Sequence, residues 1–218
     1  MRQTFRLSLF RHGQMLLLFF GLAAVTGCSS NGADLQTGVF LDSPVSGLSY
    51  STLNVSGTTD AAGKFNYYPY ETVTFSVGGL ALGAAAGKAT VTPLDIVSGA
   101  TGVTDQRVTN ICRLLQTLDA DGDLNNGIQI TSAIAAIVAG YASKIDFNQT
   151  TAAFSADANV TALLAALNAA NVFTDTDPRA RTLRSATAAQ EHFTRSTSER
   201  KVVSTQYGQL SGYAANAT

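Results

Sequence analysis

Between residues 36 and 97 apolar side chains recur at every second position in short runs, and turn-forming residues separate the runs. Lys64-Phe65-Asn66-Tyr67 and Val73-Thr74-Phe75-Ser76-Val77 each put their large residues on one side, the period of a half-buried strand. Val39-Phe40-Leu41, Leu48 to Thr52 and the hairpin arm Leu80 to Gly83 give further strands, with Asp42-Ser43-Pro44, Thr58 to Gly63 and Gly78-Gly79 as turns. Thr90 to Ile96 adds one more, confined by Pro93 to an edge or an end because proline donates no ladder hydrogen bond. From Thr104 the period changes. Val108, Ile111, Cys112, Leu115 and Leu118 form one stripe of a helix capped by Thr104 or Asp105. Further helices are expected over Ser132 to Ser143 and over Ala158 to Ala170, the latter capped by Asp157. A fourth starts at Asp177-Pro178, a cap followed by proline in the first turn, and runs towards Phe193. Its Arg179, Arg181, Arg184 and Arg195 read as a solvated face, or as one attracted to anionic headgroups. The pattern predicts an α+β fold: an antiparallel β module over residues 37–98, then a helical region of about four helices over residues 99–200, then a tail over 201–218.

Ahead of this pattern lies a segment of a different kind. Arg2, Arg6 and Arg11 precede Met15 to Val25, eleven residues without a charge. That is the length of a signal-peptide core and well short of the roughly 20 apolar residues that cross a bilayer. The run ends in Val25-Thr26-Gly27-Cys28, which resembles the bacterial lipobox. The resemblance implies that residues 1–27 are removed, that the Cys28 thiol takes a diacylglycerol and that the new amino group is acylated. Residues 28–36 then serve as a polar tether. Ser29 after the lipidated cysteine resembles the outer-membrane sorting signal of enterobacteria.

Removal of the three arginines leaves 11 Lys and Arg against 15 Asp and Glu, a formal charge of −4. An acidic chain without a basic patch does not suit nucleic acid. Both methionines and His12 depart with the same segment, so His192 is the one histidine left, expected at the surface beside Glu191. With Cys28 committed to lipid, Cys112 has no disulfide partner and reads as a buried, inert thiol.

Gly57-Thr58-Thr59-Asp60-Ala61-Ala62-Gly63-Lys64-Phe65 resembles the G-x-T-D-x-x-G-x-F motif of carboxypeptidase-regulatory-like, or transthyretin-like, β modules. A wider frame, from Gly38-x-Phe40-x-Asp42-Ser43 through Val73-Thr74-Phe75 to Val91-Thr92-Pro93-Leu94-Asp95, is similar to an N-terminal module of proteobacterial envelope lipoproteins and large surface adhesins. The resemblance covers roughly residues 38–130 and implies a β-sandwich-like module that binds or supports rather than catalyses. Some relatives bear organic-solvent-transport names, but a chain with no membrane span beyond its signal cannot be a permease.

Candidate chemistry is confined to Asp119-Ala120-Asp121-Gly122-Asp123-Leu124-Asn125-Asn126-Gly127. Asp119, Asp121, Asp123 and Asn125 offer hard oxygens at alternate positions of a loop, which suits Ca²⁺. The frame departs from an EF-hand: Leu124 stands where glycine belongs and Ile130 where the bidentate Glu belongs, so Asp105 or Asp146 would have to complete the shell. The plainer reading is a hydrophilic connector of turn-forming residues. Ala81 to Thr90 lacks the first glycine and the Ser/Thr of a phosphate-binding loop, and no nucleophile-elbow or zinc-protease motif is present.

These readings converge on a non-enzymatic, lipid-anchored outer-membrane lipoprotein. It holds the membrane through Cys28 and acts as a binding or adhesion module towards surface ligands or envelope proteins. The alternative is a periplasm-facing accessory of an envelope transport or lipid-trafficking system. An apolar cavity between the helices would favour lipid carriage, and a flat aromatic face of Tyr50, Tyr67, Tyr68 and Tyr70 would favour adhesion. Cys28→Ser is expected to leave the precursor uncut or to release the protein, read by palmitate labelling and membrane fractionation. A Cys28→Ser protein that is processed and sediments normally with membranes would refute lipid anchoring.

Overall fold

The computed structural model describes residues 33–175 and 179–198. The signal segment, Cys28, most of the tether, Asp177-Pro178 and the 201–218 tail lie outside the described residues.

Alternation builds the largest sheet. Strand β6 (Thr72–Val77) buries Val73, Phe75 and Val77 and turns Thr72 and Thr74 to solvent. Its hairpin partner β7 (Leu80–Ala86) answers with buried Leu80 and Leu82. The register shifts between Phe75 and Ser76 at Gly83, where a side chain would meet the Ile96 carbonyl at 2.2 Å. On the other side of β6 lies β3 (Ser49–Ser51), and beyond it β4 (Ser56–Thr58), giving the antiparallel order β4-β3-β6-β7. In a second sheet, β1 (Gln36–Phe40) sits between β5 (Lys64–Tyr67), antiparallel, and β8 (Thr90–Val91), parallel. A third, small sheet pairs β2 (Val45–Ser46) in parallel with β9 (Ile128–Gln129).

The β part is therefore mixed rather than wholly antiparallel, and one of its strands lies within the segment expected to be helical. The described residues of 37–98 and of 99–198 share one hydrophobic core, with Val45 and Ile128 both fully buried in it. The strand expected over Thr90 to Ile96 is cut to two residues. After Val91, Asp95 accepts the Thr92 N–H and hydroxyl, each at 2.8 Å, and turns the chain at Pro93. The Asp60 turn forms as its residues suggest: Asp60 Oδ1 accepts the amides of Ala62 and Lys64 at 2.9 and 2.8 Å, and Gly63 takes φ +70°.

The two larger sheets meet through aromatic rings. Phe40 and Phe65 from one lie 4.8 and 5.1 Å from Phe75 of the other, and Tyr50 is 6.0 Å from Phe65. Tilted and edge-on pairs at these separations add to the area they bury.

Among the described residues five helices make up the rest, which establishes an α+β fold. Helix α1 (Gln106–Thr117) is capped by Asp105, which accepts the amides of Arg107 and Val108 at 2.9 and 3.2 Å. Every residue from Val108 to Thr117 is buried, polar ones included. Helix α2 (Ser132–Ala139) stops four residues before the expected Ser143. Helix α3 (Thr151–Ala156) carries a single buried residue, Phe154, and so leaves no period to read. Helix α4 (Ala158–Ala169) is capped by Asp157, as expected. Helix α5 spans 186–198, eight residues later than the Asp177-Pro178 start. Residues 179–185 instead run in a non-helical path, held by reciprocal bonds between the Asn168 amide and the Arg181 backbone at 2.7 and 2.9 Å. Arg181 is consequently no solvated residue. Its guanidinium pairs with Asp175, donates to the carbonyls of Thr117 and Asp119 and stacks 4.2 Å over Phe173.

Arg113 fixes α1 to two neighbours. It donates to the Arg184 carbonyl at 2.7 Å, the Thr151 carbonyl at 2.8 Å and the Ser155 hydroxyl at 2.6 Å. Arg113→Met keeps the stem and strands these acceptors, so unfolding free energy in urea should drop by roughly 2–4 kcal/mol. A variant as stable as the parent would show that the guanidinium does not tie these segments.

Candidate functional site

The acidic turn follows directly from α1. Asp119 is fully buried, and one of its oxygens accepts the Gln129 N–H at 2.8 Å. Its other oxygen, Oδ2, is buried without a hydrogen-bond partner. Burial raises this carboxyl from 3.8 to about 6; the Gln129 N–H opposes the rise and the adjacent Asp121 carboxylate adds to it. Asp121 sits at the rim, accepting the Asp123 amide at 3.0 Å and the Asn126 side chain at 2.8 Å. Asp123 accepts both the backbone and side-chain N–H of Asn125, at 3.1 and 2.8 Å. The fold thus brings Asp119 and Asp121 together, while Asp123 and Asn125 bond to each other. Neither expected completing residue joins them: Asp105 caps α1, and Asp146 accepts from Asn148 at 2.9 and 2.7 Å. Among the described residues no three His, Cys, Asp or Glu side chains converge as a metal group.

A second polar cluster, invisible in the periodicity, sits where the turn after β1 meets α1 and α5. Asp42 is fully buried, and the Gln116 side chain donates to both of its oxygens at 3.0 Å and to the Ala189 carbonyl at 3.1 Å. Burial pushes Asp42 up to about 7 against the opposing bonds from Gln116 and Cys112 and the charge of Arg184. Burial, then the adjacent Asp42 carboxylate, raises the Cys112 thiol well above its ordinary value, so it stays protonated and poorly nucleophilic. Ser43 adopts φ +56°, donates to the Leu124 carbonyl at 2.9 Å and meets His192 Nε2 at 2.9 Å.

His192 is therefore a buried tie between α5 and the first β turn, not the surface residue its neighbours suggested. The late start of α5 sets the register: Ala189, His192 and Phe193 face inward. The only sequence sign of this cluster was Asp42-Ser43-Pro44, whose composition signals a turn and nothing more.

The tyrosine face does not assemble. Tyr50 and Tyr67 are core residues, Tyr68 is half-buried and Tyr70 is fully exposed. The outward side of β4-β3-β6-β7 instead carries Ser49, Ser51, Ser56, Thr58, Thr72 and Thr74. It holds a shallow concavity of about 410 Å³ in which Ser51 and Thr74 hydroxyls pair at 2.7 Å. No charged residue occurs in any of these four strands.

Among the described residues no helix is long and apolar enough to cross a membrane. Comparison with known proteins finds no matching family, no matching curated protein and no matching solved structure.

Because its folded pKa is raised, Asp42 leaves stability intact below about pH 4 and lowers it as pH rises towards 7. Urea midpoints should fall across that window by the equivalent of roughly 2–4 kcal/mol more in the parent than in Asp42→Asn. Equal slopes in the two proteins would mean that Asp42 is ionised throughout.

Proposed function

We propose that the chain is a lipid-anchored outer-membrane lipoprotein whose folded domain is a non-catalytic binding or adhesion module. The observation that carries this reading is the uncharged outer face of β4-β3-β6-β7. Sheets exposed to water ordinarily blunt their edges and faces with charge, lysine above all, to prevent unwanted pairing. Here the four strands carry hydroxyl, methyl and glycine positions only on their outward side, and edge strand β4 is exposed at all three residues. Depletion of charge is one compositional feature of the core of a contact surface. Serine and threonine hydroxyls, each donor and acceptor, suit a polar ligand such as a glycan or an extended peptide from an envelope protein.

We take the two larger sheets as the layers of a β-sandwich. The ring contacts of Phe40 and Phe65 with Phe75 support this, as does burial of alternate residues in β5 and β6. The space against the helices is filled by fully buried Ile111, Leu114, Leu115, Leu118, Phe154 and Leu163, which gives lipid carriage little support. The anchor is Cys28, and the surface is then held one tether length from the membrane.

Protease treatment of intact cells, with a periplasmic protein as control, tests which side this face serves. Cleavage of the anchored protein is expected for a surface-binding module. Protection until the outer membrane is permeabilised would overturn surface display and favour the periplasmic accessory role.

A further inference from the structure

We propose that the turn after α1 is a weak Ca²⁺ site built on Asp119 and Asp121. The observation behind it is the lone Asp119 Oδ2: a carboxylate oxygen, fully buried, that no donor in the fold reaches. Leaving such an atom unsatisfied is costly, so a buried orphan oxygen calls for a ligand. A second carboxylate, Asp121, lies against it, which makes the lone oxygen more costly and a shared cation more favourable.

The local cation is already committed. Arg181 is the basic residue packed on this turn, its Nη2 3.2 Å from where a side chain at Gly122 would begin. It is paired with Asp175 and bonded to the Thr117 and Asp119 carbonyls. The Arg181 charge offsets Asp119 in part but is shared with Asp175, so Asp119, Asp121 and Asp123 keep a net negative charge at the turn. Asp121 also borders a polar recess of about 370 Å³ that it shares with Asp175 and Arg181.

The donor set selects the ion. All available donors are hard oxygens, and among the described residues no His or Cys joins them, which disfavours zinc. Mg²⁺ demands near-ideal octahedral geometry, whereas Ca²⁺ accepts carboxylate, amide, carbonyl and water oxygens in irregular sets. A turn with Gly122 at φ +75° and Gly127 at φ +113°, and only two carboxylates together, suits the tolerant ion. Without a bidentate Glu, where Ile130 stands, affinity belongs in the range of about 10⁻⁴–10⁻³ M found in extracellular modules.

The test is thermal unfolding of the full-length, detergent-solubilised protein in chelator, then with about 5 mM CaCl₂ or MgCl₂, together with calorimetric titration of Ca²⁺. Calcium is expected to raise Tm by about 3–6 °C and magnesium by less than half as much. Asp119→Asn should lose the calcium shift. Asp121→Asn, at the rim where folding is not at risk, should lose most of it. No calcium shift in the parent, an equal shift with magnesium, or a full calcium shift in Asp121→Asn would each overturn the site.

Discussion

A helix buried on every side leaves its polar side chains no water to bond, and α1 is such a helix from Val108 to Thr117. Each of its polar residues must find a protein partner, and each finds one outside α1. Asn110 reaches the Phe147 and Gln149 carbonyls at 3.1 and 2.9 Å. Arg113 reaches α3 and the non-helical path before α5. Gln116 reaches the first β turn and α5, and the Thr117 hydroxyl accepts the Arg184 amide at 2.9 Å. The hydrophobic effect gathers the chain around α1, but these bonds dictate which segment lies on which side. The apolar residues alone would tolerate several arrangements.

What was legible in the sequence follows from that division. Strands with one wet face announce themselves by alternation, and β5, β6 and the β6–β7 turn are placed where Phe65, Phe75 and Gly78-Gly79 suggest. Caps with local chemistry are equally plain, as at Asp105 and Asp157. Elements defined by distant partners were not. Helix α3 has one inward residue, β9 is two residues long and exists because Val45 offers it a parallel edge, and Asp177-Pro178 has the chemistry of a cap without being followed at once by a helix. Arg181 and His192 looked like surface residues because their partners, the Asp119 carbonyl and Ser43, are remote in sequence.

The candidate site was half legible. Alternate carboxylates from Asp119 to Asp123 mark an oxygen-rich turn on composition alone. Which of them is buried depends on Gln129 and Arg181, and only the folded arrangement separates Asp119, inside, from Asp123, which is spent on Asn125. Asp42 shows the converse: a residue that reads as an ordinary turn former sits in the core because α1 brings Gln116 to it.

The reach of the Ser43–His192 contact also bears on the order of assembly. Its partners are 149 positions apart, and Asp42 and Ala189 meet through Gln116, itself 74 and 73 positions from each. A chain made or threaded from its amino end presents the early strands long before α5 emerges. Until then Asp42 lacks part of its enclosure and Ser43 is held in a left-handed conformation with nothing to keep it there. Contacts of such sequence separation slow folding, because the loop between them must close first. The first β turn is therefore completed by nearly the last described residues, and a nascent chain cut before residue 186 carries a β half that cannot finish its own interior.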